Sequence, residues 1–96
     1  MQADMDAAQK EVEAREFVAT SGGGAVEATV NGKRELLSLT VKPEVVDPQD
    51  TEMLQDLIVT AVNEALRQAA EAMEQRMESM SGNLNLGGFN LGNLSL

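Results

Sequence analysis

Three adjacent glycines form the stretch of the sequence that looks most like a ligand-binding motif. Gly22, Gly23 and Gly24 could cradle a phosphate group with their backbone N–H groups. A phosphate-binding loop also needs a Lys-Ser or Lys-Thr pair after the glycines and a helix that begins there. Here the glycines lead into a stretch with the alternation of a strand, so they predict a turn between two strands.

The residues that usually carry out catalysis and metal binding are missing from the sequence. The chain contains no Cys and no His, which excludes thiol nucleophiles, imidazole bases and zinc sites. Four glutamates share the polar side of a predicted helix, where a solvated surface is expected: Glu64, Glu71, Glu74 and Glu78. We therefore predict that the protein is not an enzyme, holds no metal or other cofactor, and has no small-molecule substrate.

The charge balance is strongly acidic, with 7 Lys+Arg against 16 Asp+Glu and a formal net charge of −9. Nucleic-acid affinity is dominated by the neutralisation of phosphates, so this charge argues against such a partner. Aromatic residues make up 2% of the chain, which argues against stacking on bases of single strands. Charge and composition alone therefore do not predict a nucleic-acid partner.

No stretch of the sequence predicts export or membrane insertion. Asp4 and Asp6 stand where a signal peptide would carry positive charge. The longest apolar run, Leu57-Ile58-Val59, is far shorter than the ~20 residues that a membrane-spanning helix requires. We expect a cytoplasmic protein without a membrane partner.

Apolar periodicity predicts the elements that position these residues. Residues 2–14 have apolar side chains at helical spacing, ending with Ala8 and Val12. From residue 15 to 42 the period is two, which predicts three strands in an antiparallel meander, over 17–20, 25–30 and 37–41. Asn31-Gly32 predicts a short hairpin turn, because both residues tolerate positive φ. The inner face of the third strand is predicted to carry Leu37, Leu39 and Val41.

A long helix is predicted after the strands. Asp47 is the expected N-cap, Pro48 the first helical residue and Gly82 the stop. The apolar stripe of this helix continues to Met80, over about 50 Å, which exceeds the width of a compact chain of this length. We therefore predict a homodimer whose interface follows this stripe: Leu54, Leu57, Ile58, Ala61, Val62, Ala65, Met73 and Met77.

The chain is predicted to form one domain over residues 1–82, followed by a tail over 83–96. The tail is rich in Gly, Asn and Leu without a clean period, and this composition predicts a flexible segment. The alternative is that its leucines dock on the dimer or on a partner.

Three stretches resemble the YbaB/EbfC family of bacterial nucleoid-associated proteins. They are the glycine-rich turn at 19–26, the hairpin Val30-Asn31-Gly32-Lys33, and residues 39–67, which contain LTVKPEVVDP, EMLQDLI and AVNEALR. The resemblance covers about residues 8–82, and the tail is similar as well. It implies an α+β fold of helix, three antiparallel strands and long helix (α-β-β-β-α), in an intertwined homodimer whose helical arms are held apart like tweezers.

The resemblance also implies a function in the nucleoid. It implies binding of double-stranded DNA with little sequence preference, which would affect nucleoid organisation and gene expression. The basic residues that could contact DNA, chosen by charge and position, are Lys10, Arg15, Lys33, Arg34 and Lys42. The alternative remains an acidic homodimeric scaffold that binds a protein partner rather than DNA.

Overall fold

The structure is a computed structural model that describes residues 2–86 of the 96. Helix α1 (Gln2–Glu13) is followed by strands β1 (Glu16–Ser21), β2 (Val26–Asn31) and β3 (Leu36–Val41), a short 3-10 turn (Pro43–Val45) and helix α2 (Thr51–Leu86). The α+β fold and the α-β-β-β-α order predicted from the sequence are confirmed. The last ten residues of the predicted tail lie outside the described residues.

The three strands form an antiparallel sheet in the order β1-β2-β3. Strand β2 is central, and its alternate residues Val26, Ala28 and Val30 are completely buried. Phe17 and Ala19 of β1 are buried on the same face, since Phe17 pairs with Val30 and Ala19 with Ala28. The alternation of apolar and polar residues in these strands therefore separates an inner face from a solvated one.

Strand β3 departs from the predicted alternation because it contains a β-bulge. Leu39 pairs with Ala28, as the alternation requires, but Val30 pairs with Leu36 and the register shifts in between. Leu37 is thus the extra residue, and its predicted place in the regular inner face is wrong. Leu36 and Leu37 remain about half exposed, at 50% and 49%, and Leu39 is 38% exposed.

Helix α2 packs across β1 and β2, with α1 beside it. The centre of its contact stripe is formed by the alanines Ala61, Ala65 and Ala69, all fully buried, and larger half-buried side chains of α2 pack on either side of them. The Oγ of Ser21 donates a 2.6 Å hydrogen bond to the carbonyl of Leu57, which ties the end of β1 to the helix. The core therefore lies between one face of the sheet and one side of α2.

Both ends of α2 differ from the prediction. The N–H of Asp50 donates to the carbonyl of Asp47, which closes a turn around Pro48 before the helix begins. Asp50 then caps the helix, because its Oδ1 accepts the N–H of Met53 at 3.2 Å. At the other end the helix passes through Gly82 to Leu86, so the predicted stop is wrong. A single glycine inside a helix costs only about 1 kcal/mol and does not have to end it.

The finished shape is elongated, measuring 61 × 28 × 16 Å along its principal axes. The length comes from α2, whose 36 residues span about 54 Å. Within the described residues, neither helix has a stretch that is both long and apolar enough to cross a membrane.

Candidate nucleic-acid interface

The turn between β2 and β3 presents two adjacent cations, Lys33 and Arg34. The loop spans three residues between Asn31 and Glu35: the N–H of Asn31 donates to the carbonyl of Glu35, and the N–H of Arg34 donates to the carbonyl of Asn31, both at 3.0 Å. The hairpin itself is confirmed. Its predicted geometry is wrong, because the positive φ falls on Arg34 (67°) instead of on Asn31 and Gly32.

The side chain of Asn31 holds this loop together from inside. Its Oδ1 accepts the backbone N–H groups of Lys33 (2.8 Å) and Glu35 (3.1 Å). Its Nδ2 donates to Oε1 of the Glu35 side chain at 2.7 Å. The side-chain amide of Asn31 thus constrains both Lys33 at the tip of the turn and Glu35 at its end.

Gly32 lies in close contact with the backbone at the end of α1. A Cβ atom at this position would lie 2.0 Å from the carbonyl oxygen of Val12 and 2.7 Å from the Cα of Glu13. No side chain fits in that space, so glycine is required here by the close approach of two backbones. The chain therefore brings the exit of α1 and the β2–β3 turn into direct contact.

Two further cations lie at the same end of the sheet. Arg15 lies between α1 and β1, and the pairing of Glu16 with Asn31 places it next to the turn. Its guanidinium lies over the ring of Phe17, 5.1 Å from the ring centre. Lys10 is in the last turn of α1 and is exposed.

Lys42, the fifth residue predicted to contact DNA, lies at the opposite end of the sheet. Its N–H donates to the carbonyl of Ala25 at 2.9 Å, just beyond the pair formed by Val41 and Val26. The six residues of β3 separate it from the β2–β3 turn by about 20 Å. The structure thus brings Lys10, Arg15, Lys33 and Arg34 to one end and leaves Lys42 apart.

The two arginines of α2 are engaged with carboxylates. Arg67 forms hydrogen bonds to Glu64 (2.7 and 3.0 Å) and a 3.3 Å ion pair with Glu71. The hydrogen bond from Arg67 lowers the pKa of Glu64, and the bond to Glu64 in turn raises the pKa of the guanidinium. Arg76 pairs with Glu11 of α1 at 3.0 Å. Within the described residues, none of the five predicted DNA-contacting residues forms an ion pair, so their charges are available to a partner.

An open groove separates Arg34 from the middle of α2. It is lined by Arg34, Arg67, Ala70, Glu71 and Glu74. The positive charge of the turn therefore borders directly on the acidic side of α2. In the part of the chain that the structure describes, no three acidic side chains come together as a metal site.

The predicted dimer stripe is largely used inside a single chain. Ala61 and Ala65 have no exposed surface at all, so they cannot contribute area to a contact with a second chain. The remaining predicted interface residues are half-buried, most of them against the chain's own core: Leu54, Leu57, Ile58, Val62, Met73 and Met77. The sequence stripe could not distinguish helix–sheet packing from helix–helix packing, because both require the same apolar spacing.

The exposed apolar side chains lie elsewhere. Leu36, Leu37 and Leu39 are exposed on β3, and Val46 and Met53 are exposed in the segment from β3 to the start of α2. The other large apolar residues with exposed surface in the described part of the chain are dispersed, at Met5, Val18 and Val59. Because α2 crosses β1 and β2, the leucines of β3 are left without a cover in a single chain. The sequence signal for this surface was the Leu36-Leu37 pair, which a strictly alternating strand would not contain.

Comparison with known proteins identifies the family. The family described as YbaB/EbfC DNA-binding matches residues 1–84. The chain belongs to this family. A nucleoid-associated protein of Clostridium acetobutylicum is 55% identical over 88 residues, covering 92% of this chain and 79% of the relative. A nucleoid-associated protein of Pelotomaculum thermopropionicum is 48% identical over 89 residues, covering 93% of this chain and 85% of the relative.

The fold of this YbaB/EbfC member also matches a solved structure. The crystal structure of an uncharacterized protein from Helicobacter pylori superposes with a TM-score of 0.63, covering 88% of this chain and 93% of that chain. The two chains are 23% identical, so the likeness supports the fold alone. Family membership confirms that the chain is no enzyme, since the family is one of DNA-binding proteins.

Proposed function

We propose that this protein is a nucleoid-associated protein that binds double-stranded DNA as a homodimer in the bacterial cytoplasm. Through this binding it would influence nucleoid organisation and gene expression. The observation that carries the proposal is the group of cations around the β2–β3 turn, which form no ion pair with any residue that the structure describes, in a chain of a DNA-binding family. Lys33 and Arg34 at the tip, with Arg15 and Lys10 beside them, are the proposed phosphate contacts.

The geometry favours binding with little sequence preference. Lysine and arginine contacts to phosphates position a protein on DNA but carry no sequence information. The cations lie on a turn and at a helix exit, whereas direct readout of bases requires an element that enters the major groove. The exposed side of the long helix around Arg67 carries Glu64, Glu71 and Glu74, which would be repelled by the phosphates flanking a groove.

A dimer is proposed from the uncovered leucines of β3. Leu36, Leu37 and Leu39 are large apolar side chains on an edge strand, a surface that is costly to leave in water. A second copy of this chain offers the same surface, and a two-fold arrangement would let the two sheets cover each other. The contact would thus be centred on β3, with the half-buried residues of α2 at its border. Such a dimer carries two basic turns, one from each chain.

Binding is tested by fluorescence anisotropy of the full chain on a random-sequence duplex between about 50 and 200 mM salt. Replacing Lys33 and Arg34 together by Gln should weaken binding equally on all sequences. It should also lower the salt slope by about 1.8 per chain, which corresponds to two phosphate contacts. Lys42→Gln, a single charge removed about 20 Å away, is the control and should change the slope by much less than the roughly 0.9 expected for one phosphate contact. Absence of wild-type binding at tens of micromolar protein would refute the proposal.

Dimerisation is tested by light scattering after size exclusion. Leu39→Asp should produce a monomer, because it places a charge in the uncovered apolar surface. Val18→Asp is the matched control, since Val18 is 48% exposed on the opposite face of the sheet. A wild-type monomer, or a dimer in the Leu39→Asp variant, would contradict the proposed interface.

A second candidate function is an acidic scaffold for a protein partner. The observation that favours it is the same apolar surface of β3 on a chain of net charge −9. A pull-down from cell extract, with and without nuclease, separates the two functions. Loss of captured proteins after nuclease treatment supports DNA binding, whereas retention of basic proteins supports the scaffold.

A further inference from the structure

We propose that Asn31 is a positioning residue for phosphate recognition, which holds the β2–β3 turn in the one geometry where Lys33 and Arg34 meet the DNA backbone together. This inference rests on the proposed DNA binding.

The first observation is the backbone of Arg34. Three-residue hairpin loops end in a residue with left-handed conformation, and glycine is the usual occupant because it has no Cβ. Here an arginine takes that position, with φ of 67°, and it is the one non-glycine residue with positive φ in the described part of the chain. Strained conformations of this kind persist where the surrounding structure holds them and are concentrated at functional positions.

The second observation is the set of hydrogen bonds that keeps Arg34 in this conformation. Asn31 takes part in five hydrogen bonds within the loop, two through its backbone and three through its side chain. The two N–H groups bound by Oδ1 belong to Lys33 and Glu35, which flank Arg34 on both sides. Arg34 itself donates to the carbonyl of Asn31. Asn31 is therefore the residue around which the conformation of Arg34 is built.

The third observation is that the loop has a rigid base. Gly32 lies against the carbonyl of Val12, so the start of the loop is fixed to the exit of α1. With its start fixed by Gly32 and its tip fixed by Asn31, the loop presents Lys33 and Arg34 with little backbone freedom. Binding of a phosphate then requires less ordering than it would on a free loop, which favours affinity.

A residue that positions the cations and a residue that contacts a phosphate affect the salt dependence of DNA binding differently. Removal of a contact cation lowers the slope of log K against log salt, because fewer counterions are released. Removal of a positioning side chain leaves every cation in place, so the slope stays the same. Affinity alone should fall, by about 3- to 10-fold for the one or two side chains that must now be ordered on binding.

The experiment compares Asn31→Ala with the wild-type protein by anisotropy on a random-sequence duplex, at several salt concentrations and well below the melting temperature. Ser21→Ala is the matched control for lost stability, because it removes a single 2.6 Å hydrogen bond at the other end of the sheet. Glu35→Gln is the conservative variant, since its Oε1 can still accept the Nδ2 donor of Asn31 while a negative charge is removed.

The expected result is a 3- to 10-fold weaker affinity for Asn31→Ala with an unchanged slope, and an affinity at or above wild type for both Ser21→Ala and Glu35→Gln. In ¹⁵N relaxation, the amides of Lys33 and Arg34 should become more mobile in Asn31→Ala without DNA. Wild-type affinity in Asn31→Ala overturns this inference and leaves the proposed function intact. An equal loss in Ser21→Ala also overturns it, because the effect is then one of stability. No binding by the wild-type chain overturns both.

Discussion

Arg34→Gly should make the protein more stable and its DNA binding weaker at the same time. The substitution removes a charge from the tip of the β2–β3 turn. It also places glycine at the position where the backbone has φ of 67°. Most substitutions that remove a proposed contact also cost stability, so a variant that gains stability separates the two effects.

The expected change in the free energy of unfolding of Arg34→Gly is the sum of two opposing contributions. The left-handed conformation costs an L-residue about 1–2 kcal/mol, and glycine avoids this cost. Glycine loses more backbone entropy on folding, which costs about 0.5–1 kcal/mol. The hydrogen bond from the N–H of residue 34 to the carbonyl of Asn31 is kept, since glycine has the same donor. A net gain of about 0.5–1 kcal/mol remains, equivalent to a melting temperature about 2–8 °C higher for a chain of this size.

Thermal unfolding followed by circular dichroism, at a fixed chain concentration, measures this gain. Lys33→Gly is the control, because it removes the same charge one residue earlier, where φ is not positive. Lys33→Gly should lower the free energy of unfolding by about 0.5–1 kcal/mol. Both variants should weaken DNA binding. The reasoning is refuted if Arg34→Gly melts below the wild type, or if the two variants shift the melting temperature in the same direction.

Three further predictions concern other contacts. Gly32→Ala should cost about 3 kcal/mol or more in urea unfolding, since its methyl group would overlap the carbonyl of Val12; a cost below 1 kcal/mol would contradict the close approach. The lowered pKa of Glu64 means that its bond to Arg67 adds stability above its ordinary pKa of 4.5, which is lost as pH falls through the folded-state pKa. Glu64→Gln should therefore flatten the fall in melting temperature below about pH 4.5. Arg76→Gln should change stability by less than about 0.5 kcal/mol, because its ion pair is exposed.

The fold could be predicted from the sequence wherever the spacing of apolar residues is compatible with only one structure. Val26, Ala28 and Val30 alternate with polar residues, and they line the inner face of the sheet as expected. The errors occurred where two structures satisfy the same pattern. Asp47 and Asp50 can each cap a helix, and the turn around Pro48 decides between them.

The candidate interface was predictable in its charges but not in its geometry. Lys33 and Arg34 can be identified from the sequence because they are adjacent and follow Asn31-Gly32. Their separation from Lys42 follows from the length of β3, which lies between them, whereas the φ of Arg34 depends on the number of residues in the loop. Gly32 is required by its contact with Val12, twenty positions earlier, and a local sequence pattern carries no information about such a contact.

The acidic charge of the chain is compatible with DNA binding because charges act over a limited distance. A dimer would carry twice the −9 of one chain. At 0.1 M salt the screening length is about 10 Å, so a phosphate at the β2–β3 turn responds mainly to the charges of the turn and its border. These charges include Lys33 and Arg34 but also Glu35 and the groove-lining Glu71. At 0.01 M it is about 30 Å, and the more distant carboxylates of α2 then repel the same duplex as well. Counterion release strengthens binding as salt falls, whereas this repulsion grows over the same range. The plot of log K against log salt should therefore flatten at low salt, and a straight line down to 10 mM would show that the carboxylates face away from the DNA.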